Sequence, residues 1–252
     1  ISVNGIESGE AVINAQNPAS AVFAVSEAAS YAVAYPAAPA SQVLFAEKQS
    51  HVVEGNTFAS GVSTMYGYSE DVNNIQLNHL TGVLKIGVKG EAVLSKAQIS
   101  TVDRAPIAGA FDIDFQTGEL TAVEGATALN LEFDEVTLAP EGTDFYFTIP
   151  AGNYPAGLSF YFTNASDGRK MQCTWKPQTA LEAGRLYSFN EVAYAPEAKD
   201  IETAQEWEEF VLALAGEGDL GKYLYKDGAV RLGADIEGDL SSIPDDFTYI
   251  LD

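Results

Sequence analysis

The middle of the chain carries hydrophobic patterns that are typical of β-strands. Residues 111–115 (FDIDF) alternate strictly between apolar and charged positions, as expected for a strand with one buried and one solvated face. Residues 130–134 alternate in the same way, whereas 144–149 and 158–163 are continuous apolar runs that suit central strands. With four further runs, the pattern predicts about eight strands, at 83–88, 97–102, 111–115, 130–134, 144–149, 158–163, 169–175 and 184–189.

Turn-forming residues fall between these runs. The pairs Thr117-Gly118, Glu141-Gly142 and Asp167-Gly168 each separate two predicted strands. No helical pattern lies between the strands, and a parallel sheet would need helical crossovers. The sequence therefore predicts a mainly β fold, with an antiparallel sandwich over residues 78–195.

The N-terminal zone, residues 1–77, differs in composition from the predicted sandwich. It is rich in Ala and Ser and has short apolar runs, among them 31–35 and 43–46. These runs predict a small N-terminal β domain, or half of one.

The C-terminal zone, residues 196–252, is acidic and begins with a helix signal. Thr203 and Glu206 have the spacing of a capping box, apolar residues follow at helical spacing, and Gly216 is a natural stop. After this helix we expect short strands at 222–225, 229–232 and 247–251. Because the last run reaches Asp252, we expect the natural chain to continue.

Charge and composition exclude several classes of protein. The formal net charge is −23, which repels phosphate backbones and anionic lipid headgroups, so we expect neither nucleic-acid binding nor electrostatic membrane attachment. The sequence has no apolar run long enough to cross a bilayer. Cys173 is the single cysteine, so no disulfide forms within the chain, and we expect this thiol to be a small buried hydrophobe. The chain starts without a basic and apolar leader, so we expect any export signal to have been removed.

Candidates for catalysis are few, and we predict no catalytic residue and no enzyme activity. A nucleophile needs a base within hydrogen-bond reach, and His51 and His79 are the two histidines. Neither lies in a nucleophile elbow or a zinc motif. We interpret His79 as structural, and His51 has no acidic residue at a spacing that indicates a catalytic pair. The carboxylate pairs Asp112 with Asp114 and Asp134 with Glu135 fit a solvated outer face better than a glycosidase site.

One acidic stretch has oxygen ligands at alternate positions. Asp235, Glu237 and Asp239 superficially resemble a calcium loop, although the spacing of an EF-hand and its terminal Glu are absent. Calcium is the one ion that the sequence suggests, and otherwise we expect no cofactor.

Aromatic residues near turns suggest a surface for stacking on sugars. Tyr66, Tyr68 and Tyr154 lie close to Gly or Pro in predicted turns, where we expect them to be exposed. The aromatic residues of the predicted strands are expected to build the core instead. The sequence thus leaves open a carbohydrate-binding platform at these three tyrosines.

The order of motifs along the chain resembles the fimbrillin-like surface proteins of Gram-negative anaerobes. The stretches that carry the resemblance are 31–36 (YAVAYP), 77–86 (LNHLTGVLKI), 106–111 (PIAGAF), 145–154 (FYFTIPAGNY) and 181–187 (LEAGRLY). The resemblance implies tandem transthyretin-like β-sandwiches, export as a lipoprotein, and a role as a pilus subunit, anchor, tip or adhesin. It also implies that subunits assemble by adding a strand to the edge of a neighbour's sheet.

The chain departs from this family at both ends. Residues 1–77 are short for a full first fimbrillin domain. The acidic segment, with 201–207 (IETAQEW), 230–236 (VRLGADI) and 249–252 (YILD), resembles the entry to a GLUG-type β-helix region, in which a helix caps the first coil.

The leading interpretation is a non-enzymatic structural or adhesive protein of the cell surface. Its expected partners are other pilus or surface subunits, through strand addition, or ligands on host or bacterial surfaces. The alternative is a carbohydrate-binding accessory module, and a third class, a hydrolase, would need a pocket that holds a His or a close carboxylate pair.

Overall fold

The computed structural model describes residues 1–9, 12–13, 15–17, 19–52, 55–236 and 250–251. The fold is mainly β, with 42% of residues in strands and 6% in helix, as predicted. The strands are β1 Ser2–Val3, β2 Ile6–Glu7, β3 Val12–Ile13, β4 Ala21–Val22, β5 Tyr31–Tyr35, β6 Gln42–Phe45, β7 Lys48–Ser50, β8 Met65–Ser69, β9 Asn78–His79, β10 Thr81–Lys89, β11 Val93–Thr101, β12 Ala108–Ile113, β13 Leu120–Ala126, β14 Ala128–Glu132, β15 Val136–Thr137, β16 Thr143–Pro150, β17 Leu158–Asn164, β18 Lys170–Trp175, β19 Leu186–Ser188, β20 Val192–Ala193, β21 Ala229–Val230 and β22 Ile250–Leu251. The helices are α1 Ala204–Leu214 and the short 3-10 helix η1 Leu220–Lys222.

A β-sandwich forms the largest core of the described chain. One sheet has the order β16-β10-β19, with β20 also paired to β10, and the other has the order β18-β17-β11-β14-β7, with β15 paired to β11. The inward positions of each strand alternate along the chain, as the pattern predicts. They fill the space between the sheets with apolar side chains, among them Leu84, Ile99, Phe145, Phe147, Phe160 and Phe162.

Parallel pairs complete both sheets, in addition to the expected antiparallel ones. β19 and β20 run parallel to β10, and β7 runs parallel to β14. Each of these strands is only two or three residues long. β19 reaches β10 from β18 of the opposite sheet without a helix between them, and β20 continues along the same side of β10.

The hairpin of β12 and β13 leaves the sandwich and joins the N-terminal zone. β6 pairs with β12 in a three-stranded sheet, and Phe45 meets Phe111 edge-to-face with ring centroids 5.0 Å apart. Phe111 and Ile113 are the buried face of the alternating FDIDF run. Their burial therefore depends on β6 and its neighbours, which form a separate small core.

The boundary expected at residue 77 does not separate independent sheets. β7 of the first zone extends the sandwich through β14, and β8 pairs with β9 across that boundary. The remaining N-terminal strands form a sheet of order β2-β1-β5-β8-β9. The boundary at residue 77 was predicted from a local change in composition. Strand pairing does not follow composition, because an edge strand pairs with the strand that completes its buried face.

The C-terminal helix matches its predicted signals. Thr203 is the N-cap, its hydroxyl accepts a hydrogen bond from the Glu206 backbone N–H at 3.2 Å, and Gly216 follows the last turn with φ +87°. Trp207 and Phe210 pack with Tyr223 in a core of their own. Among the described residues, no helix is both long and apolar enough to cross a bilayer.

The strands predicted after the helix are confirmed only in part. The strand predicted at 222–225 is wrong, because residues 220–222 form η1 and turn the Tyr223 ring onto Phe210. β21 forms within the predicted 229–232 run and pairs in parallel with β22, and Ile201 bridges to Leu232, also in parallel. Residues 247–249 of the last predicted strand lie outside the described residues.

Candidate functional site

The three tyrosines that the sequence singles out do not form a stacking platform. Tyr154 is 7% exposed, belongs to the sandwich core, and donates its hydroxyl hydrogen to the Pro150 carbonyl at 2.7 Å. Burial raises its pKa above the ordinary value. The expectation that Tyr154 is exposed is therefore wrong, because the turn around it folds back onto its own strand.

Tyr66 and Tyr68 lie on β8, not in a turn, and both are half-buried. The Tyr66 ring packs against the core of the β12–β13 hairpin, and Gly118 in the turn of that hairpin rests so close to its hydroxyl that no Cβ would fit there. Tyr66 is therefore covered by the hairpin. Of the three tyrosines predicted to stack on sugars, only Tyr68 is neither in a core nor covered by the hairpin, so they form no joint platform.

The remaining chemistry-bearing candidates are placed apart. Cys173 is half-buried on β18 against the sandwich core, and burial raises the pKa of its thiol to about 11, so the thiolate is scarce at neutral pH. Within the described part of the chain, no group of three His, Cys, Asp or Glu side chains is arranged to hold a metal ion. Asp235 is exposed, and Glu237 and Asp239 lie outside the described residues, so the calcium site stays a prediction.

A serine that sequence reasoning missed lies next to His79. The Ser63 hydroxyl is 3.0 Å from His79 Nδ1 and 3.0 Å from the Thr81 hydroxyl. A Ser-His-Asp site also needs a carboxylate that orients the base, and among the described residues none is bonded to His79. The signal could not be read from the sequence, because residues 63, 79 and 81 meet only through the pairing of β8 with β9.

The outer edge of β16 is not paired with another strand among the described residues. β16 is the last strand of its sheet and pairs with β10 alone, so the expectation that the run 144–149 forms a central strand is wrong. The Gln49 side chain binds Thr148 outside the ladder, with Gln49 Nε2 donating to the carbonyl at 2.6 Å and the Thr148 N–H donating to Gln49 Oε1 at 3.0 Å. The backbone groups of Thr148 therefore face away from β10, and by the two-residue period of an antiparallel ladder so do those of Tyr146 and Asp144.

This edge is protected at one end and open at the other. Pro150 has no N–H, and its carbonyl is occupied by the Tyr154 hydroxyl, while Gln49 satisfies Thr148. The outward N–H and C=O groups of Tyr146 and Asp144 have no backbone partner among the described residues. Natural proteins block exposed sheet edges in this way, and an unblocked edge is able to pair with another chain. The part of β16 at Asp144 and Tyr146 is such an unblocked edge.

A groove of about 410 Å³ lies beside this open part of the strand. We call it the edge groove. Its lining comprises His51, Val52, Asn56, Glu135, Val136, Thr137, Ala139, Gly142, Thr143, Asp144 and Tyr146. Two buried polar atoms at the edge have no partner among the described residues, His51 Nε2 and Thr148 Oγ1.

Aromatic contacts hold His51 in the edge groove. Its ring stacks on Phe145 at 4.8 Å between centroids and 24° between planes, and it meets Phe133 edge-on at 5.5 Å. Burial lowers the pKa of His51 below its ordinary 6.5, because the charged ring would lose hydration that these neighbours do not replace.

We expect this burial to make the folded protein less stable as the solution becomes acidic. A histidine with a lowered pKa contributes its full stabilisation above pH 6.5, and the contribution is lost as the pH falls below that value through the folded-state pKa. Urea unfolding between pH 7.5 and 5 measures the slope. A His51→Phe variant should flatten it, and an unchanged slope in that variant would contradict the assignment.

The opposite end of the sandwich is closed by aromatic side chains. Trp175 on β18 meets Phe189 edge-on at 4.6 Å, and Phe189 meets Phe160 in the core at 5.5 Å. The Glu197 N–H also occupies the carbonyl of Lys170 on the outer side of β18. The β16 edge is therefore the better candidate for contact with another molecule.

Comparison with known proteins finds similarity to solved structures only. No protein-family model matches the chain, and no curated protein matches it. The chain is similar to a "putative cell adhesion protein" from Bacteroides uniformis at 15% identity, over 66% of this chain and 68% of that chain, with a TM-score of 0.41. Proteins of the same description from Bacteroides ovatus (13% identity, 68% and 69% covered, TM-score 0.42) and Bacteroides fragilis (13% identity, 77% and 66% covered, TM-score 0.38) are also similar. Likeness at this level carries no argument about function.

Proposed function

We propose that this chain is part of an exported, non-enzymatic protein of the cell surface that adheres or assembles through the edge of its β-sandwich. The observation that carries this proposal is the open part of β16, where the outward backbone groups of Asp144 and Tyr146 face the edge groove. A partner segment in extended conformation would pair with these groups and place alternate side chains in the groove.

The charge of the chain limits the kind of partner that it binds. The net charge of −23 keeps the protein soluble and favours partners that are neutral or basic. Within the edge groove, Glu135 adds acidic character, whereas Asp144 is neutralised by Lys85 at 2.7 Å. A partner strand with a basic residue opposite Glu135 would match this lining.

The C-terminal unit, residues 196–236 with 250–251, supports the modular part of the proposal. Ile201, the 230–232 segment and β22 lie side by side through parallel bridges, which is how successive coils of a β-helix stack. These parallel bridges support a β-helical character for the C-terminal unit, beside a sandwich for which the motifs of residues 31–187 support a fimbrillin-like type.

An edge-blocking substitution tests the role of β16. Asp144→Pro removes the outward N–H, and an edge position tolerates proline because this N–H is not part of the β10 ladder. We expect binding of the fluorescently labelled chain to intact bacterial and epithelial cells, measured by flow cytometry, to fall at least about tenfold, since pairing at the open edge is lost.

Asp144→Asn is the matched control, because it removes the ion pair with Lys85 and keeps the N–H. This variant should bind like the unmodified chain. Equal binding by Asp144→Pro, or no binding by the unmodified chain to either kind of cell, would refute adhesion through this edge.

A further inference from the structure

A cavity of about 250 Å³ lies on the outer face of the β16-β10-β19 sheet, next to the edge groove. We call it the outer-face cavity. The loop that carries Phe58 covers one side, and the first residues of β10 and β19 form the floor. Its lining comprises Asn56, Thr57, Phe58, Ser63, His79, Thr81, Val83, Tyr146, Gly184, Arg185 and Leu186.

The polar side of the cavity is a chain of hydrogen bonds. The hydroxyls of Thr81 and Ser63 are 3.0 Å apart, and Ser63 is 3.0 Å from His79 Nδ1. Thr81 and Ser63 are buried, so their hydroxyls keep fixed positions. With Nδ1 engaged, His79 retains Nε2 for a ligand, as donor or acceptor according to its tautomer.

Arg185 adds donors at the rim of the cavity. Its Nε binds Glu182 at 2.7 Å, and its terminal N–H groups have no partner among the described residues. Because Glu182 offsets the charge of the guanidinium, Arg185 supplies directed hydrogen-bond donors without a strong attraction for anions.

The opposite side of the cavity is apolar. Phe58 and Val83 are joined there by Leu186, whose side chain is unusually exposed for its type at 56%. The cavity therefore has an apolar side, with an aromatic ring and aliphatic groups, that faces a row of fixed polar groups. This arrangement matches a ligand with one apolar face and a polar rim.

We propose that the outer-face cavity binds one neutral pyranose ring, at the end of a glycan. A pyranose has a C–H face that packs on aromatic rings, and each of its hydroxyls both donates and accepts, as the Ser63, Thr81 and His79 groups require. The volume suits a single sugar ring, since drug-sized ligands occupy about 300–1,000 Å³. The strongly negative chain disfavours an acidic sugar. This inference rests on the proposed adhesive function, because it names a ligand class for it.

Saturation-transfer NMR and calorimetry with free glucose, galactose, mannose and glucuronic acid test the inference. We expect at least one neutral hexose to bind with a dissociation constant on the order of 1 mM, as suits a ligand of its size, and glucuronic acid to bind more weakly. Phe58→Ala and Ser63→Ala should each weaken that binding by roughly tenfold. Tyr68→Ala, which lies outside the cavity, should leave it unchanged.

The outcomes separate this inference from the proposed function. If none of the hexoses binds, if glucuronic acid binds best, or if Phe58→Ala binds like the unmodified chain, the saccharide site is refuted. Loss of cell binding in Asp144→Pro would still support adhesion through the β16 edge in that case. Hexose binding by a chain that binds no cells would support the site and refute the edge.

Discussion

Replacing Phe160 by alanine is expected to lower the free energy of unfolding by about 3–5 kcal/mol. Phe160 is 1% exposed, at the centre of the space between the two sheets. It meets Phe147 of the opposite sheet at 5.6 Å and Phe189 at 5.5 Å. Truncation removes the buried ring and leaves a cavity that two rigid sheets cannot collapse to fill.

Urea unfolding followed by tryptophan fluorescence and circular dichroism measures this loss. Val123→Ala is the control, because Val123 is 54% exposed on β13, and it should change stability by no more than about 0.5 kcal/mol. Phe160→Leu should fall between the two, since it keeps most of the buried volume. A loss below about 1 kcal/mol in Phe160→Ala would show that this site is not a packed centre of the sandwich.

Replacing Arg169 by alanine is expected to detach the C-terminal unit from the sandwich and to cost about 3 kcal/mol, as when one partner of a buried ion pair is removed. Arg169 follows the turn between β17 and β18, and its side chain is 10% exposed. Its Nε binds Asp167 at 2.7 Å, and its terminal nitrogens reach Asp219 at 2.9 Å and the Gly221 carbonyl at 3.2 Å.

The effect arises because Asp167 would remain buried without its cation. Burial by itself raises the pKa of Asp167, but hydrogen bonds from the Arg169 backbone and guanidinium outweigh it and hold the pKa below the ordinary value. Without Arg169 the carboxylate loses this stabilisation, and residues 219–221 lose their bonds to the sandwich.

Hydrogen exchange resolves the two parts of this prediction. The amides of η1 and β21 should exchange faster in Arg169→Ala, because the lost bonds join residues 219–221 to the sandwich, whereas the amides of β10 and β17 should keep their exchange rates. Lys48→Ala is the control, because the pair of Lys48 with Glu132 is exposed on both sides and should leave exchange unchanged. Uniform acceleration across both parts would contradict a specific link.

Local signals were enough to predict the strands of the sandwich and the C-terminal helix. The runs at 144–149 and 158–163 became β16 and β17, and Thr203 caps α1. Each of these signals lies within one element, where side-chain period and capping chemistry act over a few residues.

Tertiary contacts decided which molecular surfaces remain available. Tyr154 was expected to be exposed because it lies in a turn, yet its hydroxyl is needed to occupy the carbonyl of Pro150. No strand forms at 222–225 for a related reason. Residues 220–222 form η1 instead, and Tyr223 packs in a buried position against Phe210. Turn residues and short apolar runs do not specify which partner covers them.

The open edge and the cavities of this protein depend on residues that are far apart in the chain. Gln49 reaches Thr148 across 99 positions, and Ser63 meets His79 across 16. The two-residue period of the hydrophobic pattern was sufficient to predict a mainly β fold with a sandwich. The absence of enzyme activity, inferred from the scarcity of histidine and cysteine, stays a prediction. The open edge of β16 and the outer-face cavity exist only because distant strands close some sheet edges and leave others unpaired, and such pairing depends on complementary buried faces that no local pattern encodes.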